Sequence, residues 1–177
     1  HHRDLHSFPT RRSSDLLAYL MGVALLFANY DTVDITLLAG IGRPDLATGF
    51  ALAVMTAGLL IKTALFPLHG WLPPAHSAAP APASALLSAI VVKLGFVILV
   101  RLWFEAFPQI AGFSVMHLLG GMGALAVLYG SVQAMRQDRL KPLVAYSTVA
   151  QIGYLFLAFP LVAGARDPSG AWAGMML

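Results

Sequence analysis

Between Ala83 and Arg101 the chain reads ASALLSAIVVKLGFVILVR, 19 residues with one charge, Lys93, in their interior. This feature limits the fold more than any other. A run of this length matches the roughly 20 apolar residues that a helix needs to cross the hydrocarbon core of a bilayer. Similar runs recur. Thr48–Phe66 carries Lys62, Val115–Ala134 is rich in Gly (Gly120, Gly121, Gly123, Gly130), and Pro142–Val162 begins on a proline suited to a first helical turn. Leu16–Tyr30 is apolar but short for a span, and Ala171–Leu177 reads as the opening of another helix. Glycine and alanine four residues apart, as at Gly120 and Ala124, predict close helix–helix approach in a membrane.

The composition agrees with a membrane protein. The chain of 177 residues is 58% hydrophobic and 11% charged, against about 25% charged residues in soluble domains. So much apolar material excludes disorder. The lack of cysteine excludes a disulfide scaffold, a cysteine nucleophile and a thiolate metal site. A net charge of +3 gives no reason to expect a nucleic-acid partner. The expected fold class is all-α, a polytopic transmembrane helix bundle in the lipid bilayer of the cell inner (plasma) membrane.

Residues 1–15 (HHRDLHSFPTRRSSD) show neither an apolar run nor a period. They read as a non-native or disordered basic segment, because HSFPTRRSSDL resembles translated sequencing-adapter read-through; a basic cytoplasmic tail is the alternative. The transmembrane part is then 16–177, expected to be truncated at both ends.

Loop charge gives an orientation. Met135–Lys141 holds three cations and one Asp, which assigns it to the cytoplasm. Counting back puts Asp31–Leu46 outside, and its three Asp against one Arg agree. The Pro-rich stretch 67–82 then lies on the cytoplasmic side or dips into the membrane, and Gly164–Gly170 lies outside. Trp71, Trp103 and Trp172 lie near span ends and read as interface anchors.

Lys62 and Lys93 are the most informative residues. A lysine at the bilayer centre costs about 2.5–3.5 kcal/mol on insertion scales, so each must snorkel, pair, or face a wet cavity. No Asp or Glu lies inside any span to pair with them. Burial makes an ammonium give up its proton more readily, which suits a lysine to proton exchange. At Pro67 a helix must break, and broken helices at membrane depth line protein or water and recur at ion sites. His69 lies two residues past the break and is a candidate relay; His76 follows in the same segment. Ser84, Ser88, Tyr146, Ser147 and Gln151 are candidates for a hydrated path, or simply hydrogen-bond between helices. No residue set suggests hydrolysis, phosphoryl transfer or nucleotide binding. Neither a cofactor, nor a metal site, nor a catalytic centre of its own is expected of the chain.

The run KTALFPLHGWLPPAHSAAPAPASALLSAIVVKLGF from Lys62, followed by DRLKPLVAYSTVAQIGY from Asp138, resembles the antiporter-like membrane subunits. These are the proton-pumping membrane-arm subunits of respiratory complex I, their hydrogenase relatives, and the large subunits of multisubunit cation/proton antiporters. The resemblance covers roughly residues 16–177. It implies a fragment of a fourteen-helix subunit, its sixth to tenth helices and the start of the eleventh. It also implies a proton-carrying lysine at Lys62 on the broken helix and a connecting lysine at Lys93. Protons would pass by way of water and groups such as His69, Ser84 or Ser88. A partner glutamate and a second half-channel would lie outside this stretch. The implied function is proton translocation within an NADH:quinone oxidoreductase or hydrogenase membrane arm, alongside other membrane subunits. The alternatives are a Na+ or K+/proton antiporter subunit and a passive structural subunit.

Overall fold

A computed structural model describes residues 8–164, with side chains from 15 onward except that of Ala163. Every regular element among them is helical. The elements are α1 (Phe8–Tyr30), α2 (Ile35–Ile41), α3 (Leu46–Lys62), α4 (Leu72–Ala78), α5 (Ala81–Ala106), α6 (Phe113–Met135) and α7 (Leu140–Val162). By length and composition α5, α6 and α7 can each cross a membrane; Asp15–Tyr30 of α1 and α2, bent by 52°, have the length and composition of either one broken span or a re-entrant loop. The expected helix start at Ala171–Leu177, the Trp172 anchor and nearly all of the Gly164–Gly170 loop lie outside the described residues.

The chain forms two packing units. In the first, α1 lies along α3, and α2 packs on the last turns of α5. Leu26, Leu38, Ala51, Leu52, Met55, Leu102 and Phe107 form its core. The tyrosine hydroxyl of Tyr30 bonds Thr48 Oγ1 at 2.6 Å and accepts from the Arg43 amide at 3.0 Å. Asp34 caps α2 by accepting from the Thr36 amide. Asp45 does the same for α3, taking the Thr48 amide at 2.8 Å. Hydrogen bonds from Thr48 hold the Asp45 carboxyl below the usual carboxylate range. Helix α2 lies in what reads as a loop, because seven residues are too few to display a helical period.

Trp103 corrects the expectation of an interface anchor. It is buried in the first unit, and its indole N–H donates to Thr56 Oγ1 at 3.1 Å. A tryptophan near a span end satisfies its one donor equally well inside a helix cluster.

In the second unit α6 and α7 pack side by side, and α4 leans on α7. A side chain at Gly153 would put its Cβ 2.6 Å from the Gly123 carbonyl oxygen and 2.8 Å from the Val127 amide nitrogen. Seven residues along α6, a Cβ at Gly130 would meet the Ala150 amide nitrogen at 2.8 Å. The predicted small-residue packing is therefore present, with its register at Gly120, which faces Pro160, Gly123 and Gly130; Gly121 has nothing within 4 Å. Phe96, Phe156 and Phe159 fill the space beside this contact, with ring centroids 5.3–5.8 Å apart.

The break falls earlier than Pro67. Helix α3 ends at Lys62, and the buried Ala64 takes a left-handed φ of 53°, a conformation that commonly stops a helix. The Phe66–Pro67 peptide is cis, and a short 3-10 turn, Leu68–Trp71, leads into α4. Residues before a proline are pushed out of helical conformation, so the apolar run to Phe66 cannot all be helix.

Gly153→Val is expected to lower the stability of the detergent-solubilised subunit by about 1–3 kcal/mol, because backbone blocks relief of the overlap. Gly121→Ala should leave the thermal midpoint unchanged; equal effects of the two would refute the packing register.

Candidate functional site

Lys62 is the last residue of α3 and is half-buried in the first unit. Lys93 lies at the midpoint of the apolar helix α5, and in this chain it is exposed. Neither amine is enclosed by the described residues. For Lys93 the reason is helical phase. The packed face of α5 carries Ser84, Val92, Phe96 and Leu99, while Lys93 shares its face with Leu86 and Ile90, both about half exposed. Among the described residues neither lysine forms an ion pair; the pair present is Arg101–Glu105 at 2.9 Å on the surface.

His69 and His76 are the buried histidines of the second unit. The 3-10 turn after Pro67 turns His69 inward to 8% exposure. There its ring stacks on Phe66 (5.5 Å between centroids) and tilts against Tyr129 (4.7 Å). Tyr146 from α7 stands edge-on to Tyr129 at 6.4 Å. His69 Nδ1 is buried with no hydrogen-bond partner among the described residues. His76, near the end of α4, is fully enclosed. Its Nδ1 bonds Ser84 Oγ at 2.6 Å, and its Nε2 is buried without a partner among the described residues.

One turn further along α5, Ser88 Oγ bonds Thr148 Oγ1 of α7 at 2.8 Å, and Thr148 donates to the Val144 carbonyl at the same distance. Ser88 stands in a π-type stretch, Leu87–Val91, where the helix is locally widened; such stretches are frequent at functional sites. The Lys141 ammonium, at the start of α7, donates to the Ala79 carbonyl at 2.9 Å. That cation closes the end of α4, the usual place for a positive charge on a helix. It also holds the Pro-rich segment at the same end of the unit as the charged turn Met135–Lys141.

The structure thus groups His69 with Tyr129 and Tyr146, His76 with Ser84, and Ser88 with Thr148. Ser147 is half-buried and donates to the Val144 carbonyl, while Gln151 is exposed. Thr148 and Tyr129 were not among the predicted site residues. Helical spacing reveals Thr148, since Ala145, Thr148 and Ile152 form the buried face of α7. No local sequence signal points to Tyr129.

Among known proteins, the profile of the family described as "NADH:quinone oxidoreductase/Mrp antiporter, TM" matches residues 6–177. NADH-quinone oxidoreductase subunit N of Desulforudis audaxviator is 39% identical over 143 residues, 78% of this chain and 28% of that protein. F(420)H(2) dehydrogenase subunit N of Methanosarcina mazei is 33% identical over 149 residues, 81% of this chain and 29% of that protein. A chain of the Mrp complex from Dietzia sp. DQ12-45-1b superposes with a TM-score of 0.75 at 29% identity, covering 84% of this chain and 28% of its own. A chain of the membrane-bound sulfane sulfur reductase, an archaeal respiratory membrane complex, gives a TM-score of 0.74 at 30% identity, over 85% of this chain and 31% of its own. The chain therefore spans less than a third of the length of these relatives.

Lys141→Met should free the Ala79 carbonyl and loosen the end of α4. Backbone hydrogen exchange across 77–83 is expected to rise in the variant, and unchanged exchange would show that the ammonium does not hold the segment.

Proposed function

We propose, from the premise that this chain belongs to the NADH:quinone oxidoreductase/Mrp antiporter transmembrane family, that it is part of a subunit that carries protons across the plasma membrane within a multisubunit complex. The observation that carries this reading is an amine at the midpoint of α5, a helix otherwise uncharged over Leu86–Val100. A charge placed there is costly and has no structural use in holding an apolar helix in lipid. Its use is to hold and release a proton. Lys62, next to the helix break, is the second such amine. His69, Ser84 and Ser88 supply polar groups for relay, and Tyr146, Ser147 and Gln151 are assigned to a hydrated path.

The driving force would be electrostatic. At low dielectric, an approaching carboxylate stabilises a lysine's charge and its withdrawal releases the proton. Such a carboxylate belongs to the rest of the subunit, because no Asp or Glu lies within α3, within Ala81–Val100 of α5, or within α6 and α7. The charged turn Met135–Lys141 faces the cytoplasm in this reading, and the Pro-rich segment lies with it.

A second reading, exchange of Na+ or K+ for protons, is favoured by the likeness to the Mrp complex chain. The two part on cation dependence. A redox-driven pump works in sodium- and potassium-free medium, and an antiporter does not.

Lys62→Ala in the full-length subunit is expected to abolish proton transport into vesicles while the complex still assembles. Transport at the wild-type rate would refute the assignment.

A further inference from the structure

We propose that the turn joining α6 to α7 is a binding site for an anionic phospholipid, its headgroup phosphate on Arg136 and Arg139 and an acyl chain along α6. The inference does not depend on the proton-carrier reading; it needs only that α6 and α7 cross a membrane. Three observations carry it. The turn is short, residues 136–139 between the end of α6 at Met135 and the start of α7 at Leu140, and both of its arginines are exposed. Among the described residues neither arginine forms an ion pair, although Asp138 lies between them in the chain. The third cation, Lys141, is already engaged by the Ala79 carbonyl at 2.9 Å. Met135 and Leu140, which flank the turn, are 79% and 76% exposed, so packing within this unit does not cover them. Leu125, Leu128, Val132 and Met135 follow one another at spacings of three and four residues, which places them on one face of α6, and all four are about half exposed or more. At a rise of 1.5 Å per residue this apolar stripe runs about 15 Å from the turn, about half the thickness of the hydrocarbon core and so the depth of one leaflet.

An anionic lipid meets both demands in one molecule. Positive charge that no carboxylate answers calls for an anion, and cations beside a spanning helix are drawn to an anionic leaflet. Guanidinium is suited to phosphate because its planar fork can donate to two oxygens at once. The stripe that begins at Met135, the residue before Arg136, calls for hydrocarbon. A soluble anion would satisfy the arginines and leave the stripe bare. An apolar protein segment would cover the stripe and leave two cations unanswered. In a zwitterionic lipid the headgroup's own cation competes with the arginines for the phosphate, whereas phosphatidylglycerol has no such cation. Asp138 opposes any anion at the turn, so its charge sets a limit on the affinity.

The test uses the full-length subunit in its complex, in bilayers of phosphatidylcholine, with assembly verified for each variant. A fluorophore on Leu128→Cys, in the middle of the stripe, reports contact through quenching by acyl-brominated lipid, any cysteines outside this stretch being replaced. Brominated phosphatidylglycerol is expected to quench with an apparent affinity at least about fivefold above that of brominated phosphatidylcholine, the effect of one cation near an anionic leaflet. Arg136→Gln together with Arg139→Gln should remove the preference. Equal quenching by the two lipids with both arginines present would overturn the proposal, as would a preference that survives the double substitution. Quenching by neither lipid would overturn it too, because a protein segment then covers the stripe. Should the arginine variant fail to assemble, Asp138→Asn decides. Loss of the opposing carboxylate is expected to raise the preference for phosphatidylglycerol, and no rise would contradict the site.

Discussion

The cost of an ammonium in hydrocarbon is the constraint on which everything else turns. A lysine at the bilayer centre, as Lys93 at the midpoint of α5, costs about 2.5–3.5 kcal/mol to insert, a large part of the folding stability of many proteins. The described residues return none of this as ion pairing, since neither Lys62 nor Lys93 has a carboxylate within reach among them. A chain that carries such a load must place both amines against protein or water in its finished assembly. Lys93 is exposed, on a face of α5 that it shares with Leu86 and Ile90.

The apolar helices supply the rigidity that this arrangement requires. Close backbone approach at Gly123, Gly130 and Gly153 locks α6 to α7, and the cluster of Phe96, Phe156 and Phe159 packs beside it. The interrupted segment from Thr63 to Pro80 is held to α5, α6 and α7 by few but directed contacts. They are the aromatic stack on His69, the His76–Ser84 bond and the Lys141 cap on Ala79.

Much of this was legible in the sequence, for identifiable reasons. Long apolar runs announce spanning helices regardless of their neighbours, so α5, α6 and α7 are found within about two residues at most ends, the exception being α5, which runs on to Ala106. Pro67 announces a break, yet not its start at Ala64, because a left-handed alanine leaves no compositional trace. Lys62 and Lys93 stand out because a charge in an apolar run is rare. Their exposure does not, since helical phase is set by which face finds a partner. The pairs His76–Ser84 and Ser88–Thr148 depend on residues 8 and 60 positions apart, and no local pattern encodes such a meeting. Trp103 shows the same limit, as its burial follows from Thr56 on another helix.

The central claim is that the mid-span amine faces protein and water, not lipid. The chain contains no cysteine, so a nitroxide attached at Lys93→Cys can report on that position in the full-length subunit, with any cysteines outside this stretch replaced. In bilayers, collision with a water-soluble paramagnetic reagent, or shielding from both reagents, is the predicted result at this position. Strong collision with dissolved oxygen, as at a lipid-facing site, together with exclusion of the polar reagent, would contradict the account.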